Sequence, residues 1–170
     1  SWLKLKILAR FLLEREVVLW TFDWQDEADI VLSVYSDSDW AGCRRTRRST
    51  SGGAVMLGAH CLKTWSSTQA PVALSSAEAE YYAMVEGTTR AIGLRTMLQE
   101  LGINVQGPLQ LFSDASAARS FASRRGVGRM RHLEVRHLWL QSEVAGQRVL
   151  VRRVAGEANP ADLLTKYHRV

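Results

Sequence analysis

Cysteine is scarce in this 170-residue chain: only Cys43 and Cys61 are present, with no Cys-x-x-Cys pair. A disulfide framework and a cysteine-rich zinc site are therefore excluded, and a reducing, intracellular compartment is the expectation. There are three prolines, too few for a Pro-rich linker, and no repeat or low-complexity tract. No apolar run approaches the ~18 residues of a membrane span. The stretch from Trp2 to Trp20 is broken by Lys4, Lys6, Arg10, Glu14, Arg15 and Glu16, and it has no small-residue cleavage site, so it is not expected to be a signal peptide. Lysine is also rare. Of 22 basic residues 18 are Arg, whose planar fork suits phosphate.

What is present is an ordinary globular balance. Apolar residues make up 46% and charged residues 23%, which excludes wholesale disorder. The length suits one domain with a full core. A net charge of +5 permits a polyanionic partner without proving one.

Residues 1–20 read as an amphipathic helix, with Trp2, Leu5, Leu8, Ala9 and Leu12 at helical spacing. The polar stretch Asp23–Asp29 is the best boundary. It divides the chain into a leading segment, 1–26, and a domain, 27–170. Ile30–Asp37 is β-rich and ends on an acid. Gly52–Leu57 and Cys61–Ser66 read as a hairpin turning at Gly58-Ala59-His60. Ser75-Ser76-Ala77-Glu78 is a capping box opening a helix that runs to Leu101 and stops at Gly102. Leu109–Asp114 reads as a strand, Ala115–Arg124 as a short helix and Arg124–Arg131 as a basic loop. His132–Ala145 reads as a helix and Gln147–Ala155 as a strand. Asn159-Pro160 opens a last helix with Asp162 in its first turn. The order predicts an α/β fold: a five-stranded mixed sheet, an antiparallel meander followed by crossover units, with flanking helices.

Four acids stand out by position. Asp37 and Asp114 sit at strand ends, where α/β sheets bind ligands. Asp162 lies in a first helical turn. Between Glu78 and Glu80, two residues apart and so on opposite helix faces, Glu80 shares the small, apolar face of Ala77, Met84, Gly87 and Ala91. Glu78 lies on a more polar face and serves as a cap. Any one of these acids alone reads as an ordinary surface or capping residue, Asp162 through the helix dipole. Four together repel unless cations intervene. Two divalent ions match a formal −4, and oxygen-only ligands suit Mg²⁺ or Mn²⁺. Such a pair of ions is the standard clamp for phosphodiester hydrolysis.

The motifs around these acids carry a resemblance. Tyr35-Ser36-Asp37-Ser38-Asp39-Trp40-Ala41-Gly42, Arg48-Ser49-Thr50-Ser51-Gly52, Trp65-Ser66-Ser67-Thr68-Gln69, Ala73-Leu74-Ser75-Ser76-Ala77-Glu78-Ala79-Glu80-Tyr81 and Ala161-Asp162-Leu163-Leu164-Thr165-Lys166 occur in that order. Together they resemble the ribonuclease H domain of copia-type LTR retrotransposon Pol polyproteins, over about residues 30–166. The resemblance implies a ribonuclease H-like fold and a two-metal endonuclease that cuts the RNA strand of an RNA–DNA hybrid during reverse transcription, leaving 3′-hydroxyl and 5′-phosphate ends. It places catalytic and metal-binding roles on Asp37, Glu80, Asp114 and Asp162, with Mg²⁺ as cofactor and Mn²⁺ as substitute. It also implies a reverse transcriptase neighbour in the same polyprotein, of whose connection segment residues 1–26 would be the tail. A start at Ser1 rather than Met fits such a fragment. The location implied is intracellular and cytoplasmic, in a virus-like particle, with no membrane partner.

Candidate nucleic-acid contacts are Arg44, Arg45, Arg47 and Arg48 with Ser49, Thr50 and Ser51, and the loop residues Arg124, Arg125, Arg129 and Arg131. Solvated charge and plain turn chemistry are the competing readings. The loop Ala155–Asn159 lacks the His that cellular ribonucleases H usually carry there, and the Cys43–Arg47 run is more basic than in the family. His132 and His137 read as structural, His60 as an exposed turn residue, and Trp40, Trp65 and Trp139 as core. The alternative function is a catalytically silent or domesticated module that binds nucleic acid or stabilises a polymerase.

Overall fold

The computed structural model describes residues 2–15, 17, 19–26, 30–128 and 133–166. A helix, α1 (Trp2–Glu14), is followed by a meander of β1 (Leu32–Asp39), β2 (Thr50–Leu57) and β3 (His60–Thr68). The long helix α2 (Ser76–Glu100) leads to β4 (Leu109–Ser113) and α3 (Ser116–Ala122). After a 3₁₀ turn at Val135–Leu138 come α4 (Trp139–Ala145) and β5 (Val149–Arg153). Two further 3₁₀ turns, Gly156–Ala158 and Pro160–Leu164, close the described chain. The sheet order is β3-β2-β1-β4-β5. β1–β2 and β2–β3 pair antiparallel, whereas β4 runs parallel to β1 and β5 parallel to β4. This is the mixed five-stranded sheet that the order of elements predicts.

Alternation builds the core. Leu32 and Val34 of β1, Leu109 and Leu111 of β4, and Val149 of β5 all point to the face covered by α2. From α2 come Ala79, Ala83, Met84 and Ala91, small enough to bring the helix close. Tyr81 meets Phe121 of α3 edge to face, with ring centroids 4.6 Å apart, and its hydroxyl donates to the carbonyl of His137 at 2.6 Å.

Boundaries move in several places. β1 continues two residues past Asp37, because the pairing with β2 runs on to Asp39–Thr50. The hairpin turn is two residues, Gly58-Ala59, and His60 already belongs to β3. The segment expected as a helix from His132 begins, among the described residues, as the 3₁₀ turn at Val135; His132 itself lies outside them. The last helix is a 3₁₀ turn, although Asn159 caps it as expected, its Oδ1 accepting from the Ala161 N–H at 3.2 Å.

Other expectations need correction. The leading helix stops at Glu14, and none of its residues is buried. Its apolar positions therefore do not join the core. Trp40 is 53% exposed rather than buried, its indole N–H donating to the Ala73 carbonyl. Trp139 is likewise partly exposed, and only Trp65 of the three is a core residue. The α2 face read as more polar is buried at its start, where Glu78 is 1% exposed, and open further along at Thr89 and Thr96. Glu78 accepts from the Leu74 N–H at 3.0 Å and from the Tyr82 hydroxyl at 2.7 Å, beneath the loop that precedes the helix.

Candidate metal centre and nucleic-acid surface

Strand register brings the acids together. Tyr35 of β1 lies beside Phe112 of β4, and the rings stack 4.8 Å apart. Two residues further along these parallel strands come Asp37 and Asp114, level with each other at the carboxyl end of the sheet. Glu80 reaches them from the second turn of α2, whose start is set by Ser75 accepting from the Glu78 N–H. Carboxylate oxygens of Asp37, Glu80 and Asp114 all lie within 4.8 Å of one another. Choosing Glu80 over Glu78 is thus supported by geometry, although Glu78 is the more deeply buried.

Asp162 approaches from the Pro160–Leu164 turn but stands outside that three-acid cluster. Its Oδ2 is bound by Lys166 Nζ at 2.5 Å, while its Oδ1 is buried with no hydrogen-bond partner among the described residues. The turn is pinned to β1 twice. Asn159 Nδ2 donates to the Ser36 carbonyl at 3.1 Å, and the Thr165 hydroxyl donates to Asp37 Oδ2. Gly52, opposite Asp37 in the ladder, makes the approach possible. A Cβ there would fall 2.6 Å from Thr165 Cγ2 and 3.0 Å from the Ala161 carbonyl oxygen. At the other side Gly156 lies against Asp114, its hypothetical Cβ 3.2 Å from Oδ2.

Burial and mutual repulsion disturb the titration of this group. Asp37 is 3% exposed. Desolvation raises its carboxyl to about 6, against the lowering effect of the Thr165 hydroxyl. Glu80 is pushed up to about 8, first by desolvation and then by the charges of Asp37 and Asp114. Lys166 is raised, chiefly by its bond to Asp162. Glu80 Oε1 accepts from the Ser38 N–H at 3.3 Å, but Oε2 is buried without a hydrogen-bond partner among the described residues. Three hard oxygen donors in mutual reach, with orphaned buried oxygens on Glu80 and on neighbouring Asp162, fit a divalent cation of the Mg²⁺ or Mn²⁺ class.

The basic candidates divide. Arg44, Arg45, Arg47 and Arg48 are all exposed on the turn between β1 and β2, at the same end of the sheet as the acids. Ser49 and Ser51 are fully buried and turned inward. Ser49 Oγ accepts from the Ala41 N–H, and Ser51 Oγ accepts from Gln69 Nε2. They shape the turn rather than offer hydroxyls to a ligand, and Thr50 is half-buried with its N–H on Asp39. Arg124 and Arg125 are exposed, Arg124 stacking on Phe121. Arg129 and Arg131 lie outside the described residues. Sequence reasoning passed over Thr165 and Lys166. The Asp162–Lys166 spacing of four was a legible signal for an ion pair along a turn.

No family model matches the chain. It is 33% identical over 140 residues to the retrovirus-related Pol polyprotein from transposon TNT 1-94 of Nicotiana tabacum, a match covering 82% of this chain and 10% of the polyprotein. It is 32% identical over 136 residues to that from transposon RE1 of Arabidopsis thaliana, covering 79% and 9%. The chain thus spans about a tenth of the length of these relatives. Among solved structures, the N-terminal RNase H domain of Rv2228c from Mycobacterium tuberculosis superposes with a TM-score of 0.52 at 16% identity, covering 80% of this chain and 91% of that one. That likeness shows the fold.

Proposed function

This chain belongs to the retrovirus-related Pol polyproteins of transposons and has a ribonuclease H fold, and we propose that it is a metal-dependent ribonuclease H acting on the RNA strand of RNA–DNA hybrids. The observation that carries the reading is the cluster of Asp37, Glu80 and Asp114 at the carboxyl end of β1 and β4, with a buried oxygen of Glu80 that has no hydrogen-bond partner among the described residues.

In this reading Asp37, Glu80, Asp114 and Asp162 are the residues that would hold two divalent ions through their carboxylate oxygens. Divalent cations held by these acids would supply a lowered pKa for the attacking water and positive charge to offset that on the phosphate. The protein's own part is positioning. Thr165 fixes the rotamer of Asp37 through its hydroxyl, and the Ser38 N–H orients Glu80. Gly156 leaves Asp114 uncrowded from the loop side. In the net reaction the water oxygen bonds to phosphorus and the P–O3′ bond breaks. The water's proton ends on the departing 3′ oxygen, giving 3′-hydroxyl and 5′-phosphate ends. The exposed Arg44–Arg48 turn grips backbone phosphates on the same side of the sheet. Strand choice follows from the A-like shape of the hybrid and the 2′-hydroxyl, with little base preference. The reverse transcriptase portion of the same polyprotein is the proposed covalent neighbour, with residues 1–26 leading from it, and the setting is intracellular.

The test is a labelled RNA–DNA hybrid incubated with the chain in Mg²⁺, in Mn²⁺ and in chelator. RNA-strand cuts that need metal and vanish in Asp114→Asn are the expected result. Salt-sensitive binding without cutting, unchanged in Asp114→Asn, would overturn it in favour of a binding module.

A further inference from the structure

The fourth acid already carries an internal cation on one of its two oxygens. Lys166 Nζ sits 2.5 Å from Asp162 Oδ2. The same turn places the Thr165 hydroxyl on Asp37. Consecutive residues therefore engage two of the proposed ligands, one by a neutral hydrogen bond and one by a full positive charge. The Thr165 and Lys166 N–H groups both donate to the Asp162 carbonyl, at 3.3 and 3.1 Å. That bonding aligns the lysine along the turn with its acid.

The two contacts differ in permanence. Thr165 is buried, under the close approach that Gly52 allows. The Lys166 side chain is 57% exposed, and that of Asp162 24%. An ion pair this open is weakly held, because water and salt compete with it. The lysine stem carries several rotatable bonds, so its ammonium can leave without disturbing the backbone. The remaining oxygen of Asp162, Oδ1, is buried and has no hydrogen-bond partner among the described residues, so the carboxylate keeps one donor oxygen to offer while Lys166 covers the other.

We propose that Lys166 is a positioning residue that holds the place of a cation: it neutralises Asp162 in the substrate-free protein and passes to a phosphate oxygen of the substrate when Asp162 takes up its ion. The inference rests on the proposed metal-dependent nuclease. It makes the two cation positions unequal. Among the described residues no ammonium is hydrogen-bonded to the three-acid cluster, whereas the Asp162 position is covered by an internal one. A phosphodiester arriving at the site offers Lys166 a new anionic partner, so substrate entry and release of Asp162 become one exchange. Three N–H donors on the ammonium suit a non-bridging phosphate oxygen.

The experiment is Mn²⁺ binding to the 170-residue chain without nucleic acid, followed by calorimetry and by the electron spin resonance signal of free Mn²⁺. The proteins are wild type, Lys166→Gln, Lys166→Arg and Glu80→Gln. Wild type is expected to take up one tight equivalent that Glu80→Gln loses. Lys166→Gln is expected to take up a second, its affinity raised about tenfold over wild type, equivalent to ~1.4 kcal/mol. Lys166→Arg, which keeps the charge, should match wild type. Lys166→Gln indistinguishable from wild type, or Lys166→Arg behaving like Lys166→Gln, overturns the role of Lys166 and leaves the nuclease reading standing. No uptake by any of them, or uptake indifferent to Glu80→Gln, overturns the metal site and this inference with it.

Discussion

Replacing the glutamate of the acid cluster should make the metal-free protein more stable, and only above a definite pH. Glu80 has an ordinary carboxyl value of 4.5 that the fold raises to about 8. The folded state therefore holds a proton that the unfolded chain has released across that window. Between pH 4.5 and 8 the folded form binds more protons than the unfolded, so stability falls as pH rises, and above 8 the loss is complete. At ~1.4 kcal/mol per pH unit, a rise of about 3.5 sets a ceiling of about 5 kcal/mol. Part of the rise comes from Asp37, itself raised and itself titrating, and water entering the half-buried site lowers the cost further. An effect of roughly 2–3 kcal/mol is the working expectation.

Glu80→Gln removes the charge and keeps the shape. Its Oε1 still accepts from the Ser38 N–H. Urea unfolding followed by circular dichroism, in chelator, should show the variant more stable than wild type by roughly 2–3 kcal/mol at about pH 8.5 and nearly equal to it at about pH 4. Millimolar Mg²⁺ should narrow the gap at the higher pH by stabilising wild type alone. A variant no more stable than wild type at the higher pH would refute the claim that the Glu80 carboxylate is desolvated and repelled.

Gly52→Ala should cost about 1–3 kcal/mol in the same unfolding assay, because the new methyl meets Thr165 and the Ala161 carbonyl and must push the final turn off β1; unchanged stability would mean the turn does not pack there. Replacing Arg44, Arg45, Arg47 and Arg48 together by Ala should weaken hybrid binding and flatten its salt dependence, by a slope of about 0.7–0.9 for each phosphate no longer neutralised. A binding titration from low to moderate salt reads this directly. Deleting residues 2–14 should change the unfolding free energy by no more than about 0.5 kcal/mol, since no residue of α1 is buried, while raising solubility by removing exposed Trp2, Phe11 and Leu13. A large loss would place α1 against the core.

What the sequence disclosed, and what it hid, has a physical pattern. The succession of strands and helices, and the three acids that the fold brings together, were legible because they rest on local signals: alternation in Leu32–Tyr35, the Ser75 cap, the Asn159-Pro160 start. These are decided within a few residues. Glu80 could be separated from Glu78 by helical phase alone. Burial could not be judged that way. The Tyr82 face reads as the more polar one, but the loop before α2 covers its start and makes Glu78 a buried cap. Ser49 and Ser51 looked like ligand-facing hydroxyls for the same reason. Only the register of β2 against β1 and the position of Gln69 turn them inward.

Asp162 shows the limit most clearly. Its type and its place in a first turn pointed to a ligand equal to the other three acids. The fold makes it unequal. It arrives on a 3₁₀ turn held by Asn159 and Thr165 rather than on a strand end, and it brings its own cation with it. A residue pattern can nominate the members of a site because chemistry restricts which side chains serve. The state in which each member waits depends on what else the chain carries there. For Asp162 that is Lys166, four residues along a turn whose approach to the sheet depends on Gly52.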